Sequence, residues 1–285
     1  MSRQKEFNFS IEHFEKIRTI MTEHSGIVLT DAKRDMVYSR LVRRLRKTGN
    51  DNFDDYCKLL DDPEHEEFTH FVNAITTNLT SFFRENHHFE ILAEQVLPKI
   101  IKKNNTNKRI RIWSAGCSTG METYSIAMVV KEFMADKPGW DVKILATDLD
   151  TNVIETAANG VYALDAITGV SEQRFETWFC TGSGENSDKA KVSKELKSLI
   201  TFKPLNLLQA FPFSGPMDII FCRNVVIYFD KDTQRTLFDK FANIHTNNGY
   251  LFIGHSETLY NVTNRYELIK NTVYKKHNKV ITHTI

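Results

Sequence analysis

The stretch Arg111-Ile112-Trp113-Ser114-Ala115-Gly116-Cys117-Ser118-Thr119-Gly120 constrains the fold more than any other part of the chain. An apolar strand, Arg109 to Trp113, runs into a turn of small residues, and a helical pattern follows at once from Met121 to Met134. Small residues let the backbone approach a ligand closely. A helix that opens on them points free N–H groups and a positive dipole end at that ligand. The pattern is a degenerate form of the G-x-G-x-x-G turn. A second apolar strand, Val142 to Thr147, ends in Asp148. In a doubly wound sheet an acid at that place holds two ribose hydroxyls. The plainer alternative is that Asp148 only caps the helix that follows. Together the two strand ends predict an adenosine-type cofactor over the carboxyl ends of parallel strands.

Composition closes off several classes. With 285 residues and 41% apolar content the chain can bury one large core or two smaller ones. A net charge of +1 does not announce a nucleic-acid binder. The polar start, Met1 to Glu6, lacks the apolar core of a secretory leader, and no apolar run approaches the roughly 20 residues of a membrane span. The four cysteines, Cys57, Cys117, Cys180 and Cys222, lie far apart with no C-x-x-C pair. They read as reduced thiols of a cytoplasmic protein, and no zinc site is expected.

Residues 10 to about 103 read as helical. Ile11, Phe14, Ile17 and Met21 share one helix face behind Ser10 as N-cap, and Gly26 ends that helix. Asp31 is placed to cap the next, which runs to Lys47 and turns Val37, Leu41 and Leu45 inward. Its other residues Arg40, Arg43, Arg44 and Lys47 fall at i, i+3, i+4 and i+7, a basic stripe. A charge run of this kind is often no more than a solvated face. The segment from Arg40 to Lys47 holds no acid, however, so nothing within it pairs with the stripe, and a docking face for an acidic helix fits it. Aromatic residues are not interleaved with the arginines, which argues against nucleic acid. A short helix from Asn52 or Phe53 to Leu60 follows, then one from Glu64 to Thr76 with Phe68, Phe71, Val72 and Ile75 inward. His87 and His88 are adjacent, whereas a metal pair on a helix needs i,i+4 spacing, so no metal is expected there.

Beyond Asp148 the alternation of strand and helix is interrupted. Residues 160 to 200 contain a flexible turn, Thr181 to Asp188, between short segments, and read as a small inserted hairpin. Leu199 to Lys203 resumes the sheet, and Met217 to Cys222 is a buried strand leading into Arg223-Asn224-Val225-Val226-Ile227-Tyr228. A helix from Asp232 to about His245 precedes Asn248-Gly249 and a strand from Tyr250 to Ile253. Tyr266 to Ile269 and Val273 to Lys276 close the chain as a hairpin around Asn271. That closing antiparallel pair does not suit a dehydrogenase sheet. It suits the seven-stranded sheet of cofactor-dependent methyltransferases.

Four blocks then carry a resemblance. Thr77-Asn78-Leu79-Thr80-Ser81-Phe82-Phe83-Arg84-Glu85, Trp113 to Glu122, Phe221 to Lys231, and Gly254-His255-Ser256-Glu257 resemble, in order, the bacterial chemotaxis receptor methyltransferases, the CheR family. The resemblance implies a helical N-terminal domain over 1–80. It implies a Rossmann-like α/β methyltransferase domain with a seven-stranded sheet over 81–285, carrying the insertion at about 160–200. It implies S-adenosylmethionine as cofactor and S-adenosylhomocysteine as product, with glutamate side chains on cytoplasmic chemoreceptor helices as acceptors. Carried over by motif, Asn78, Thr80 and Arg84 close over the cofactor. Glu122 and Asp148 contact it from the strand ends, Asn206 and Leu207 flank the adenine, and Arg223 and Asn224 hold its methionine end. Arg84 and Tyr228 lie nearest the transferred methyl. The resemblance also implies that Arg40, Arg43, Arg44 and Lys47 dock the receptor and that the inserted hairpin can take a receptor tail peptide; a monomer is expected, although the sequence leaves the oligomeric state open. Cys117, Met121 and Thr123 depart from the family's usual turn residues.

Methyl transfer to a carboxylate needs no general base, because a glutamate with an ordinary pKa of about 4.3 is already ionised. The lack of a His or Cys catalytic constellation agrees with that. Blander roles exist for each residue: an inter-domain ion pair for Arg84, a satisfied half-buried ring for Tyr228, turn chemistry for Asn78, Asn206 and Asn224, and a first-turn acid for Glu122. Gly116-Cys117-Ser118-Thr119-Gly120 also spells G-x-S-x-G, but a hydrolase of that pattern builds several strands before its elbow, and none is predicted here. A non-catalytic, cofactor-binding receptor adaptor is the alternative reading.

Overall fold

A computed structural model describes residues 6–277. Four helices come first: α1 (Ile11–Ser25), α2 (Arg34–Thr48), α3 (Phe53–Leu59) and α4 (Glu66–Ile75). Ser10 caps α1 by accepting from the His13 amide, and the His13 ring returns a bond to the Ser10 amide. Gly26, at φ 72°, ends α1 in the left-handed conformation that glycine adopts without a Cβ penalty. Asp31 does not cap α2. It opens a 3-10 turn, Asp31–Lys33, and its carboxylate is taken by Arg18 of α1. Phe14, Ile17 and Met21, with Val37, Leu41 and Leu45 and with Phe68, Phe71 and Val72, form the core of these helices. Ile11, expected to face inward with them, is 57% exposed at the first turn.

The remainder begins with α5 (His87–Ile91) and α6 (Leu97–Lys103), joined by a π-helical turn, Leu92–Val96. Then come β1 (Arg109–Ala115), α7 (Met121–Phe133), β2 (Asp141–Asp148) and α8 (Thr151–Asn159). The insertion holds β3 (Val161–Ala163), α9 (Glu172–Trp178), β4 (Phe179–Thr181), β5 (Lys189–Val192) and α10 (Lys194–Lys197). After it follow β6 (Ile200–Pro204), β7 (Met217–Cys222), α11 (Lys231–Ile244), β8 (His245–Ile253), β9 (Tyr266–Lys270) and β10 (Val273–Lys276).

The main sheet has seven strands in the order β6-β2-β1-β7-β8-β10-β9. β6, β2, β1, β7 and β8 run parallel, and β10 is antiparallel to both β8 and β9. Strand order reverses between β1 and β7, the switch point where open α/β sheets leave a crevice for ligands. Central strands are buried on both faces. Every residue of β7 is buried, and Trp113 of β1 is fully enclosed. The closing hairpin turns on Asn271 and Thr272, both at positive φ (46° and 57°), the two-residue geometry that matches strand twist.

Two sequence expectations are refined. The insertion is a three-stranded antiparallel sheet, order β3-β5-β4, rather than a lone hairpin: β4 and β5 are the predicted pair, and β3 adds to the other edge of β5. β8 begins at His245, directly after α11, and runs through Asn248-Gly249, because Asn248 at φ 59° takes up the irregularity in pairing with β7. Among the described residues no helix is long and apolar enough to cross a membrane.

Candidate active site

The small-residue turn after β1 packs closely against the turn after β7. Gly116 sits at φ 84°, and a Cβ there would lie 2.4 Å from Cγ2 of Val225. The turn N–H groups, however, are not left free. Gly116 and Cys117 both donate to the carbonyl of Thr147, at 2.8 and 2.9 Å, and Ser118 donates to Oδ2 of Asp148 at 2.7 Å. β2 reaches far enough past β1 to take these donors, so carboxylates rather than amides line this part of the cavity.

Asp148 is not the cap of α8. That role belongs to Asp150, which accepts from the Asn152 amide at 2.9 Å. Asp148 accepts from the Ser118 and Asp150 amides and has no cationic partner among the described residues. Burial raises its pKa. It is a half-buried acid with acceptor capacity to spare, aimed into the cavity mouth between β1 and β2.

Arg223 follows β7 and is the charge centre of the site. Its side chain is 1% exposed, with Nη1 3.1 Å from Oε2 of Glu122 and Nη2 3.1 Å from Oε2 of Glu85. Nη2 also donates to the carbonyl of Arg84, and Nε is buried without a partner among the described residues. Glu122, in the first turn of α7, accepts from the Ser114 hydroxyl at 2.8 Å. Burial raises the pKa of Glu122 against the opposing charge of Arg223. For Glu85 burial also pushes upward, but the hydrogen bond from His255 and the charge of Arg223 outweigh it and hold the carboxyl at about 2. Glu257 accepts from the amides of Gly254 (2.5 Å), Asn224 (3.0 Å) and Ile227 (3.2 Å). It thereby fixes the turn that carries Arg223, Asn224 and Tyr228.

One cavity is lined by Asn78, Thr80, Arg84, Glu122, Asp148, Asn206, Leu207, Arg223, Asn224 and Tyr228 together, and its space is about 1090 Å³ with the open mouth included. That is enough for a nucleoside with an amino-acid tail. Arg84 has no carboxylate partner among the described residues; it donates to the Leu79 carbonyl at 2.9 Å, so the ion-pair alternative does not describe it. Two asparagines have structural duties as well. Asn78 donates to Asp150 at 2.7 Å, which ties the segment after α4 to the start of α8. Asn206 donates to the His24 carbonyl at 2.6 Å and accepts from the Leu208 amide at 3.0 Å, a turn of its own that also anchors α1. Asn224 is held at φ 59°.

Residues the sequence reading did not place here come from the N-terminal helices: Ser25, Ile27, Leu29 and Lys33 also line the cavity. Nothing local marks them, because they reach the cavity only when the α1–α2 connection meets the loops that follow β6 and β7. Glu85 and Glu257 stood inside the matching blocks without an assigned role.

The basic stripe is not one continuous free surface. Arg40 donates to the carbonyls of Ala74, Ile75 and Thr76, at 3.2, 2.7 and 2.7 Å, closing the C-terminus of α4. Arg44 pairs with both oxygens of the buried Glu67. Arg40 to Lys47 does hold no acid, but α4 packs against that segment and supplies one. Arg43 and Lys47 are exposed and form no ion pair among the described residues. Glu85, His87 and His88 bring ligand-type atoms within 4.8 Å of one another. Arg223 and His255 already hold that carboxylate, so a bound cation would face a guanidinium.

Comparison with known proteins agrees with this geometry. Residues 78–275 match the family model "CheR methyltransferase, SAM binding domain", and residues 12–76 match "CheR methyltransferase, all-alpha domain". The chain is 42% identical over 265 residues to the chemotaxis protein methyltransferase of Escherichia coli, covering 92% of this chain and 90% of that one. It is 43% identical to its counterpart in Salmonella typhimurium, covering 92% and 89%, and 40% identical to chemotaxis protein methyltransferase 2 of Pseudomonas aeruginosa, covering 95% of each.

Proposed function

This chain belongs to the CheR methyltransferase family, and from that premise we propose that it methylates glutamate side chains on the cytoplasmic helices of chemoreceptors. It is an S-adenosylmethionine-dependent methyltransferase of chemotaxis. The cavity's donor set fits that cofactor: acceptor-only acids at Glu122 and Asp148, apolar walls at Ile27, Leu29 and Leu207, and an unpartnered buried donor at Arg223 Nε. Asp148 takes the ribose hydroxyls, Asn206 and Leu207 border the adenine, and Arg223, Asn224 and Glu122 hold the amino-acid end. Asn78, Thr80 and Arg84 close the segment over it. The cofactor supplies an electrophilic methyl, so the acceptor oxygen forms its new bond to carbon as the sulfur–carbon bond breaks, and no proton moves.

The chain's own residues therefore orient and desolvate. Arg84, free of any carboxylate among the described residues, is available to steer the acceptor; Tyr228 lines the same cavity and orders the transferring methyl. Residues 1–80 act as the receptor-docking part and 81–285 as the transferase, with Arg43 and Lys47 as the exposed cations that meet an acidic helix. The sheet β3-β5-β4 takes a receptor tail peptide, and the protein acts as a cytoplasmic monomer that reaches the membrane only through receptors.

The observation that carries this reading is the single cavity in which two acids, a buried Arg223 and the unpaired Arg84 meet at the sheet's switch point. The test is transfer of labelled methyl from S-adenosylmethionine to chemoreceptor-containing membranes, followed by mild base. Label released as volatile methanol supports carboxyl methyl esters. Tight cofactor binding with no transfer overturns the acceptor assignment and leaves a cofactor-binding adaptor.

A further inference from the structure

Lys33 is a cation without an anion. It ends the 3-10 turn before α2, lines the same cavity as Arg84 and Tyr228, and places Nζ 4.6 Å from the centroid of the Tyr228 ring. It makes no ion pair among the described residues. Burial lowers its pKa, and the other charge acting on it is the like charge of Arg40. A half-buried ammonium whose charged neighbour has the same sign carries a desolvation cost that a bound carboxylate would relieve. The position is fixed from both sides, since the Val28 amide donates to the Tyr228 carbonyl at 2.8 Å and so ties the α1–α2 connection to the turn after β7.

Two carboxylates can reach this cavity, one on the cofactor and one on the acceptor. The chain's layout favours the second. Lys33 stands at the N-cap of α2, and the exposed Arg43 and Lys47 lie in its C-terminal half, Lys47 about 20 Å away at 1.5 Å per residue. Arg40 between them is held by the α4 carbonyls, so the helix itself, rather than an unbroken charged stripe, links the cavity to the exposed Arg43 and Lys47. A cation serving only the enclosed cofactor would need no place on the helix that carries the outer cations.

We propose that Lys33 binds the side-chain carboxylate of the acceptor glutamate against the Tyr228 ring and so sets which acceptor oxygen meets the methyl. This assignment rests on the acceptor reading above. It makes α2 contribute to the reaction itself as well as to docking, with its N-terminal end receiving the group that reacts.

The test uses the full chain with Lys33→Met, which keeps the apolar stem, and Lys33→Arg, which keeps the charge. Cofactor affinity is measured by calorimetry with S-adenosylhomocysteine, and kcat and KM by methyl transfer to chemoreceptor-containing membranes. Lys33→Met is expected to lower kcat/KM for the receptor about tenfold to a hundredfold, the loss typical of one charge-assisted contact, while the S-adenosylhomocysteine Kd changes less than about twofold. Lys33→Arg recovers most of the rate. A parallel loss of S-adenosylhomocysteine affinity would assign Lys33 to the cofactor instead. Unchanged kcat/KM with unchanged affinity would reduce it to packing on Tyr228, and failure of Lys33→Arg to rescue would exclude a charge role. No transfer by the unsubstituted protein strikes the acceptor reading itself and takes this assignment with it, an outcome distinct from a defect confined to the variants.

Discussion

The guanidinium of Arg44 grips the carboxylate of Glu67 with two nitrogens, Nε to Oε1 at 2.9 Å and Nη2 to Oε2 at 2.5 Å, and the Tyr56 hydroxyl donates to the same Oε1 at 2.8 Å. Their side chains are 14% and 3% exposed, so this is an enclosed ion pair that clamps α2 to α4. Breaking such a pair by removing one partner leaves a buried charge and costs about 3–5 kcal/mol. Arg44→Ala is therefore expected to lower the unfolding free energy from urea melts by an amount in that range, at unchanged slope. Arg43→Ala, on the exposed face, is expected to leave it within about 0.5 kcal/mol. Equal stability of the two variants would show that the pair contributes nothing.

The Glu257 carboxylate accepts from three backbone amides in a buried corner. Glu257→Ala leaves those amides without acceptors, at a cost of about 1–3 kcal/mol for each that finds no water. Because that turn carries Arg223 and Tyr228, the variant is expected to lose both cofactor affinity and turnover, whereas Glu257→Gln, which keeps one acceptor oxygen, loses less. Calorimetry and single-turnover transfer on the two variants decide it. A variant with intact affinity would mean the turn holds its shape without the carboxylate.

Asp148 is a half-buried acid in the cavity with two N–H bonds and no cation beside it. Asp148→Asn keeps its size but exchanges one acceptor oxygen for a donor. Cofactor affinity is expected to fall about tenfold to a hundredfold, the range for a lost charge-assisted hydrogen bond. An unchanged dissociation constant would remove Asp148 from the cofactor site.

Acid sensitivity follows from two buried histidines. Burial and the charge of Arg223 hold His88 at about 4, and burial and the charge of Lys276 hold His245 at about 3. Both are neutral in the fold. His245 accepts from the Tyr266 hydroxyl and donates to the Tyr250 carbonyl, while His88 donates to the Asn271 carbonyl. The unfolded chain takes up protons near pH 6.5, so their full contribution is present above that pH and is lost as the pH falls toward the folded values. Stability is expected to fall by up to about 1.4 kcal/mol per pH unit for each histidine between pH 6 and 4. His245→Gln is expected to flatten part of that slope in urea melts across the range. An undiminished slope would remove His245 from the acid response.

Much of this molecule was legible in the chain. β1, β2 and β7 are apolar runs bounded by turn residues, and their order with α7 and α8 between them specifies a parallel sheet with a switch point. Asp148 was identifiable because it ends the second strand, where register leaves an acid little freedom, whereas Glu122 came from the matching block. The four matching blocks carried the family, and with it the residues that line the cavity. Local signals also marked Ser10, Gly26, Asn271 and the interrupted alternation at 160–200.

What the sequence could not determine is where donors and charges find partners, because partners are chosen by packing between distant segments. The amides of the Gly116–Ser118 turn looked free until β2 took them. Arg40 and Arg44 looked like an unquenched stripe until α4 brought its terminal carbonyls and Glu67 against them. The third strand of the insertion depends on β3 meeting the far edge of β5, which no local pattern announces. Lys33, a half-buried cation without an anion among the described residues, reaches the cavity only because the α1–α2 connection meets the turn after β7. Sequence by itself determined the elements and the chemistry they carry; tertiary structure decided which charges neutralise each other and which stay available for a ligand, because electrostatic pairing depends on distances between atoms far apart along the chain.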